Sequence, residues 1–304
     1  VTWSCVARAV VRRLVRVLFP VFEPLGIFII ANHFHEPIPD TRHLQPALWD
    51  VPSECVGIDW NPTGQMGLLA GFISSYQAEF ELLPLNRPVA PASFYIRNES
   101  FSAVDAEVLY CMVRQLAPRR VFEVGGGYST HLIVRALEAN QRDGGQAPGE
   151  LLVIEPYPRA IVRTALPAGA RNLSVENVQS VGLDRFASLE ANDILFVDSS
   201  HVLKLGSDLH FLFLEVLPRL KRGVVIHFHD IFLPLEYPKA WVLRDHRFWN
   251  EQYALQMFLT FNSRARVLWS SSYMHVYHAD ALERAFSSYR RDQDWPVSFW
   301  IQVV

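Results

Sequence analysis

Hydrophobic positions fall into two regimes along this chain. From about residue 100 onward, short unbroken apolar runs alternate with stretches whose apolar residues recur at helical spacing. The runs RVFEV (120–124), LLVIEP (151–156), NLSVENV (172–178), DILFVD (193–198), GVVIHFHD (223–230), ARVLWSS (265–271) and PVSFWIQVV (296–304) read as strands. Between them, VDAEVLYCMVRQL (104–116), the stretch from 129 to about 140, RAIVRTAL (159–166), 205–220 and WNEQYALQMFLTF (249–261) read as helices. Strands that are apolar on both faces and separated by helices predict an α/β fold. The expected form is Rossmann-like, a mostly parallel sheet with helices on both faces. Ligands of such sheets bind beyond the carboxyl ends of the strands, so chemistry-bearing residues are sought there.

The first hundred residues differ. VARAVVRRLVRVLF (6–19) is a basic amphipathic helix pattern, and residues 20–65 are rich in proline, histidine and tryptophan with little periodicity. Residues 64–83 read as one further helix, and Asn86, Arg87, Pro88 and Pro91 as a linker. The expected division is a helical, loop-rich N-terminal arm or lid over 1–100 and a catalytic domain over 101–304. His33, His35 and His43 lie near Glu36 and Asp40, but the intervening prolines argue for a turning segment instead of a ligand-bearing helix.

Composition narrows the picture. Of 304 residues, 50% are hydrophobic and 19% charged, enough for a buried core. A net charge of −3 offers no basic field for nucleic acid. Cys5, Cys55 and Cys111 are scattered, with no paired spacing, which fits inert thiols in a reducing compartment and a cytoplasmic location. The 6–19 helix has two readings, packing on its own domain or peripheral contact with an anionic membrane through residues 1–20. Pro20 and Pro24 interrupt its apolar run before spanning length. A homo-oligomer is compatible with all this, and nothing in the sequence selects it.

The densest signal is VFEVGGGYST (121–130), a strand running into three glycines and then a helix start. Such a turn brings backbone amides close to a nucleotide-like ligand. The spacing is G-x-G-x-x-T, so the dinucleotide fingerprint lacks its third glycine at Thr130, and no hydride-transfer constellation accompanies it. Glu123 instead makes an acid-x-G-x-G pattern with Gly125 and Gly127. Glu155, at the end of the second strand, is placed to accept both hydroxyls of a ribose. FVDSSHV sets Asp198 and His201 at the fourth strand's end, and HFHD sets His227, His229 and Asp230 at the fifth's. Two acids at adjacent strand ends need positive or hydrogen-bonding company, and a divalent metal would supply it. His227 taken alone reads as a core histidine.

These motifs, together with the NEQY segment at 250–253, resemble the class I S-adenosylmethionine (SAM)-dependent methyltransferases. More narrowly they resemble the small-molecule O-methyltransferase branch that includes metal-dependent sugar and natural-product enzymes. The resemblance covers residues 100–304 and implies a seven-stranded sheet with its last strand antiparallel. It implies SAM bound by Glu123, Gly125, Gly127, Ser129, Glu155 and Asp198, with residues 177–180 bordering the adenine. Asp198, His229 and Asp230 match the metal position of that branch, where His229 departs from the usual acid. Oxygen-only shells suit magnesium, whereas an imidazole ligand tilts toward a transition metal or no metal. His201, His229 and Asp230 are the candidate catalytic residues, with His201 favoured as general base. The expected activity is methyl transfer to a hydroxyl of a small-molecule or sugar acceptor. Two alternatives stay open on these residues, a metal-dependent hydrolase or oxygenase on the same fold and a non-catalytic SAM-fold scaffold.

Overall fold

A computed structural model describes the chain except residues 1–4, 33–34, 89–92, 145–148 and 167–171. His33 and parts of the expected 86–91 linker and 142–150 loop therefore lie outside the described residues. Seven strands form one sheet: β1 (Arg120–Val124), β2 (Glu150–Ile154), β3 (Asn172–Ser174), β4 (Ile194–Val197), β5 (Val225–Phe228), β6 (Ala265–Ser270) and β7 (Phe299–Val303). Their order is β3-β2-β1-β4-β5-β7-β6. β1 to β5 pair in parallel, and β7 runs antiparallel to both β5 and β6.

The helices among the described residues are α1 (Cys5–Phe22), α2 (Pro62–Phe80), α3 (Asp105–Leu116), α4 (Tyr128–Arg142), α5 (Ala160–Ala165), α6 (Leu183–Ala187), α7 (Asp208–Phe211), α8 (Lys239–Leu243), α9 (Glu251–Leu259) and α10 (Ser271–Ala285). The expected 205–220 helix is shorter and irregular. α7 passes into a wide turn over Leu212–Val216 and a tight one over Leu217–Arg219, since Pro218 cannot continue the helical ladder.

Period-two alternation divides the core between the two faces of the sheet. Val121 and Val153 join the cluster packed with α3, α4 and α10. Phe122, Leu152 and Ile154 join the opposite cluster with α6, α9 and the 209–220 segment. Burial of both faces is why these strands carry unbroken apolar sequence.

The chain forms two compact units, residues 1–51 with 236–248, and residues 52–235 with 249–304. Residues 52–100 thus share a unit with the sheet. The reason is visible in α2's first turn, where Asn61 Nδ2 donates to the Val267 carbonyl at 2.9 Å and buried Gln65 accepts from the Ser270 amide at 2.8 Å. In the smaller unit, Trp49 Nε1 donates to the Tyr237 carbonyl at 2.9 Å and Lys239 lies over the Trp49 ring. No helix among the described residues is long and apolar enough to cross a membrane.

Candidate active site

The glycine turn follows β1, and its geometry separates three glycines that look alike in sequence. Gly125 has φ +88°, and a Cβ there would sit 1.6 Å from the Asp198 carbonyl oxygen. Only glycine fits. A Cβ on Gly126 would come within 2.8 Å of Val153, whereas one on Gly127 would meet nothing closer than Arg159 at 3.6 Å. Beneath the turn, buried Glu123 accepts from Ser129 Oγ at 2.6 Å and Thr130 Oγ1 at 2.8 Å. Thr130 Oγ1 also accepts from the Gly127 amide at 3.1 Å. The hydroxyl that breaks the dinucleotide fingerprint therefore ties strand, turn and helix together. Burial pushes the Glu123 carboxyl up to about 8, against the pull of the two hydroxyls.

Glu155, just past β2, faces the same turn. Its Oε2 accepts from the Gly126 amide at 3.2 Å and its Oε1 from the Tyr157 amide at 2.7 Å. A cavity of ≈ 540 Å³ opens here, lined among others by Gly125, Glu155, Asn177, Asp198, Ser199 and Lys204. It lies beyond β1, β2 and β4, where strand order reverses between β1 and β4. Of the six residues expected to bind cofactor, Gly125, Glu155 and Asp198 line it. Glu123 and Ser129 are buried beneath the turn, where they brace it, and Gly127 is bonded to Thr130. A nucleoside fits this chemistry. The turn admits no side chain at Gly125, a carboxylate waits at the end of β2, and the buried Ser199 Oγ has no protein partner.

Asp198 also belongs to a second group. His201 Nε2 lies 3.5 Å from Asp198 Oδ1 and 3.4 Å from Asp230 Oδ2, and its Nδ1 lies 2.8 Å from Glu251 Oε2. His229 Nδ1 is 3.8 Å from both Asp198 and Asp230, and its Nε2 is 3.7 Å from Asp105 Oδ2. Asp105 in turn accepts from the Val297 and Ser298 amides. Burial opposes charge on both imidazoles, but the carboxylates outweigh it. Glu251, Asp198 and Asp230 raise His201 to about 9, and Asp198, Asp230 and Asp105 raise His229 well above its ordinary value. Asp198 is itself pushed up by lost hydration, with His229 and His201 pulling it back.

Local backbone holds this group in place at a cost. His201 and Asp230 have φ +60° and +55°, and Val104, beside Asp105, has φ +71°. Each such residue costs about 1–3 kcal/mol and persists only where the surroundings fix it. For His201 the fixing element is the start of α9. The Asn250 and Glu251 amides both donate to the His201 carbonyl, and the Asn250 side chain bonds the Leu203 amide and carbonyl. Glu251 is 1% exposed, and the Trp249 ring packs 4.3 Å from the His201 ring. Asn250 and Glu251 carried no assigned role in the sequence. Their signal was an acid in the first turn of a helix on the apolar face, which is costly unless partnered.

The sequence-based metal set was Asp198, His229 and Asp230. Among the described residues, Asp198, His201 and Asp230 have donor atoms that all lie within 4.8 Å of one another. His229 keeps its Nδ1 3.8 Å from both carboxylates, while its ring stacks on Phe101 at 4.8 Å and its Nε2 faces Asp105. Two carboxylates and one imidazole suit a divalent cation, and Glu251 behind His201 is the carboxylate–imidazole support common to metal sites. His227 is a core residue. It lies between Phe196 and Trp300, bonds Ser298 Oγ at 3.0 Å, and is held neutral by burial. Buried Cys55 and Cys111 are likewise raised by lost hydration, as inert thiols are.

Known proteins resemble parts of this chain. Residues 122–231 match the family described as methyltransferase domain, a segment holding the glycine turn, Glu155, Asp198, His201 and Asp230. An uncharacterized protein of Archaeoglobus fulgidus is 29% identical over 177 residues, 56% of this chain and 77% of that one. A Plasmodium falciparum protein described as a protein-L-isoaspartate O-methyltransferase, solved with S-adenosylhomocysteine, aligns over 54% of this chain and 83% of its own. Its identity is 13% and its TM-score 0.32. The family match covers residues 122–231, and over that segment the chain is similar to methyltransferase domains.

Proposed function

We propose that the chain transfers a methyl group from SAM to a hydroxyl of a small-molecule or sugar acceptor, with a divalent cation assisting. The observation that carries this reading is the continuity of the two sites through Asp198, which lines the nucleoside cavity and faces His201 and Asp230. When bound, SAM supplies an electrophilic methyl group on a sulfonium. Glu155 receives the ribose hydroxyls, Gly125 lets the backbone close on the ligand, and Asn177 with its neighbours borders the base.

The acceptor hydroxyl has to lose its proton as the oxygen attacks. His201 is the base in this reading. Its Nδ1–H is committed to Glu251 Oε2, so Nε2 is the basic nitrogen and points to the rim between Asp198 and Asp230. A cation on the two carboxylates would remove their share of the rise, leaving Glu251 as the charge that supports the protonated imidazole. Positioning supplies much of the remaining acceleration.

One observation favours a second assignment for the same residue. Nε2 lies within 3.5 Å of both carboxylates, which also suits a direct ligand. The His201→Ala variant separates the roles. If His201 is the base, His201→Ala keeps Mn²⁺ affinity and loses release of S-adenosylhomocysteine in the presence of hydroxylated acceptors. If it is a ligand, Mn²⁺ affinity falls with activity. Methyl transfer intact in both His201→Ala and His229→Ala, with SAM bound, would remove the base assignment altogether.

A further inference from the structure

The first unit carries a feature that methyl transfer does not use. α1 exposes Val10, Leu14, Val17 and Val21, each more than half accessible. Their spacing of four, three and four residues makes one continuous stripe along the helix. Beyond the helix the chain adds exposed Leu25, Ile27 and Phe28, with Phe28 stacked on Phe19 of the helix. The other side of α1 is already occupied. Val15 and Phe19 are partly buried and line a ≈ 420 Å³ cavity with Ile29, Ile30 and Ala31 of the same unit. One apolar face is covered and the other is bare.

Charge says what covers it. α1 contains four arginines, at 8, 12, 13 and 16, and no acid. With the chain at net −3, removing those four charges leaves −7 on the rest. Arg13 and Arg16 are exposed, Arg13 at the edge of the stripe and Arg16 a further step round the helix, where it also borders the cavity opposite, which Glu36 helps to line. A protein partner or a second copy needs only an apolar surface. An anionic bilayer interface calls for an apolar stripe about one helix long, with cationic side chains reaching back to phosphates. The helix cannot span, so its contact is in the plane of the surface.

We infer that α1 docks the protein on anionic lipid surfaces, with Val10, Leu14, Val17 and Val21 inserted among the acyl chains and Arg13 and Arg16 at the headgroups. The acidic remainder of the chain is repelled by the same surface, so the attachment is oriented by this helix. The inference is independent of the methyl-transfer reading.

Sedimentation of the full chain with vesicles tests it, using phosphatidylcholine alone and phosphatidylcholine with 30% phosphatidylserine. Expected is binding to the mixed vesicles at least about tenfold stronger than to the neutral ones, weakening as salt screens the charges. Leu14→Asp with Val17→Asp should abolish it. Arg13→Gln with Arg16→Gln should weaken it by about thirtyfold, two charges at roughly 1 kcal/mol each. All four positions are exposed, so the variants should keep the parent's melting curve. Three results would overturn the inference: no sedimentation with mixed vesicles, equal binding to both vesicle types, or unchanged binding by both variants. A dimer in light scattering that Leu14→Asp with Val17→Asp converts to monomer would overturn it too, by making the stripe a self-interface.

Discussion

Glu251 is where the account of the catalytic group is most exposed. His201 is buried, and burial alone would depress its titration, yet it stands at about 9 because Glu251, Asp198 and Asp230 face it. A rise from 6.5 to about 9 is worth about 3 kcal/mol of folding stability in the cation-free protein. The sign is fixed by the raised value. That stability is fully present below pH 6.5, where folded and unfolded imidazoles are both protonated, and is lost as pH rises through 9. Glu251 is the largest source of the rise, through a 2.8 Å hydrogen bond. Glu251→Gln keeps an acceptor oxygen but removes the charge, and should lower the His201 midpoint by roughly 1–3 pH units. The assay is an NMR titration of the imidazole Cε1–H signals with chelator present, His201 being identified by the signal lost in His201→Gln. Urea melts at pH 6.5 and 9 run alongside. The wild type should lose more stability than Glu251→Gln across that interval, by about 1–3 kcal/mol. Glu251→Ala, which strands the His201 Nδ1, should cost about 3–5 kcal/mol at pH 6.5. An unchanged His201 midpoint together with an unchanged pH dependence in Glu251→Gln would refute the claim that Glu251 holds the imidazole.

The glycine turn offers a matched pair. Gly125→Ala drives a Cβ into the Asp198 carbonyl and should cost 3 kcal/mol or more in urea melts, beyond roughly 1–3 kcal/mol for strained backbone alone; Gly127→Ala should cost no more than about 1 kcal/mol. Thr130→Val removes two buried hydrogen bonds and should cost about 1–3 kcal/mol at pH 7 by the same measurement. Glu123, raised to about 8 by burial, contributes stability that is present below pH 4.5 and lost as pH rises through 8. Glu123→Gln should therefore flatten the wild type's decline between pH 5 and 8, and an unchanged slope would place its titration elsewhere. Mn²⁺ titration should give one site in the wild type and at least tenfold weaker binding in Asp230→Asn.

Much of the sheet was legible because its strands are buried on both faces, which forces continuous apolar runs such as DILFVD and GVVIHF. The acids at strand ends stood out because an acid after such a run has to be partnered. Three features were not legible, each because it depends on contacts distant in sequence. Residues 236–248 group with the first 51, so the chain divides in space where no composition break marks it. Residues 64–83 read as a helix of the N-terminal arm, but Gln65 and Asn61 fasten α2 to β6 through side-chain bonds that periodicity cannot show. His201 and His229 look equivalent beside their acids. They differ in what backs the ring: Glu251 of α9 bonds His201 Nδ1, whereas Phe101 and Asp105 flank His229. Thr130 is the converse case, a departure from a fingerprint whose hydroxyl turns out to join Glu123 to the turn.

The central claim is that the cavity beyond β1, β2 and β4 takes the nucleoside of SAM, and calorimetry with S-adenosylhomocysteine tests it most directly. The account predicts saturable binding at one site per chain, about 10–100-fold weaker in Glu155→Ala, which loses charge-assisted bonds to the ribose. Binding should be absent in Gly125→Ala under conditions where that variant is folded. No detectable binding by the wild type, or equal affinity in wild type and Glu155→Ala, would contradict it.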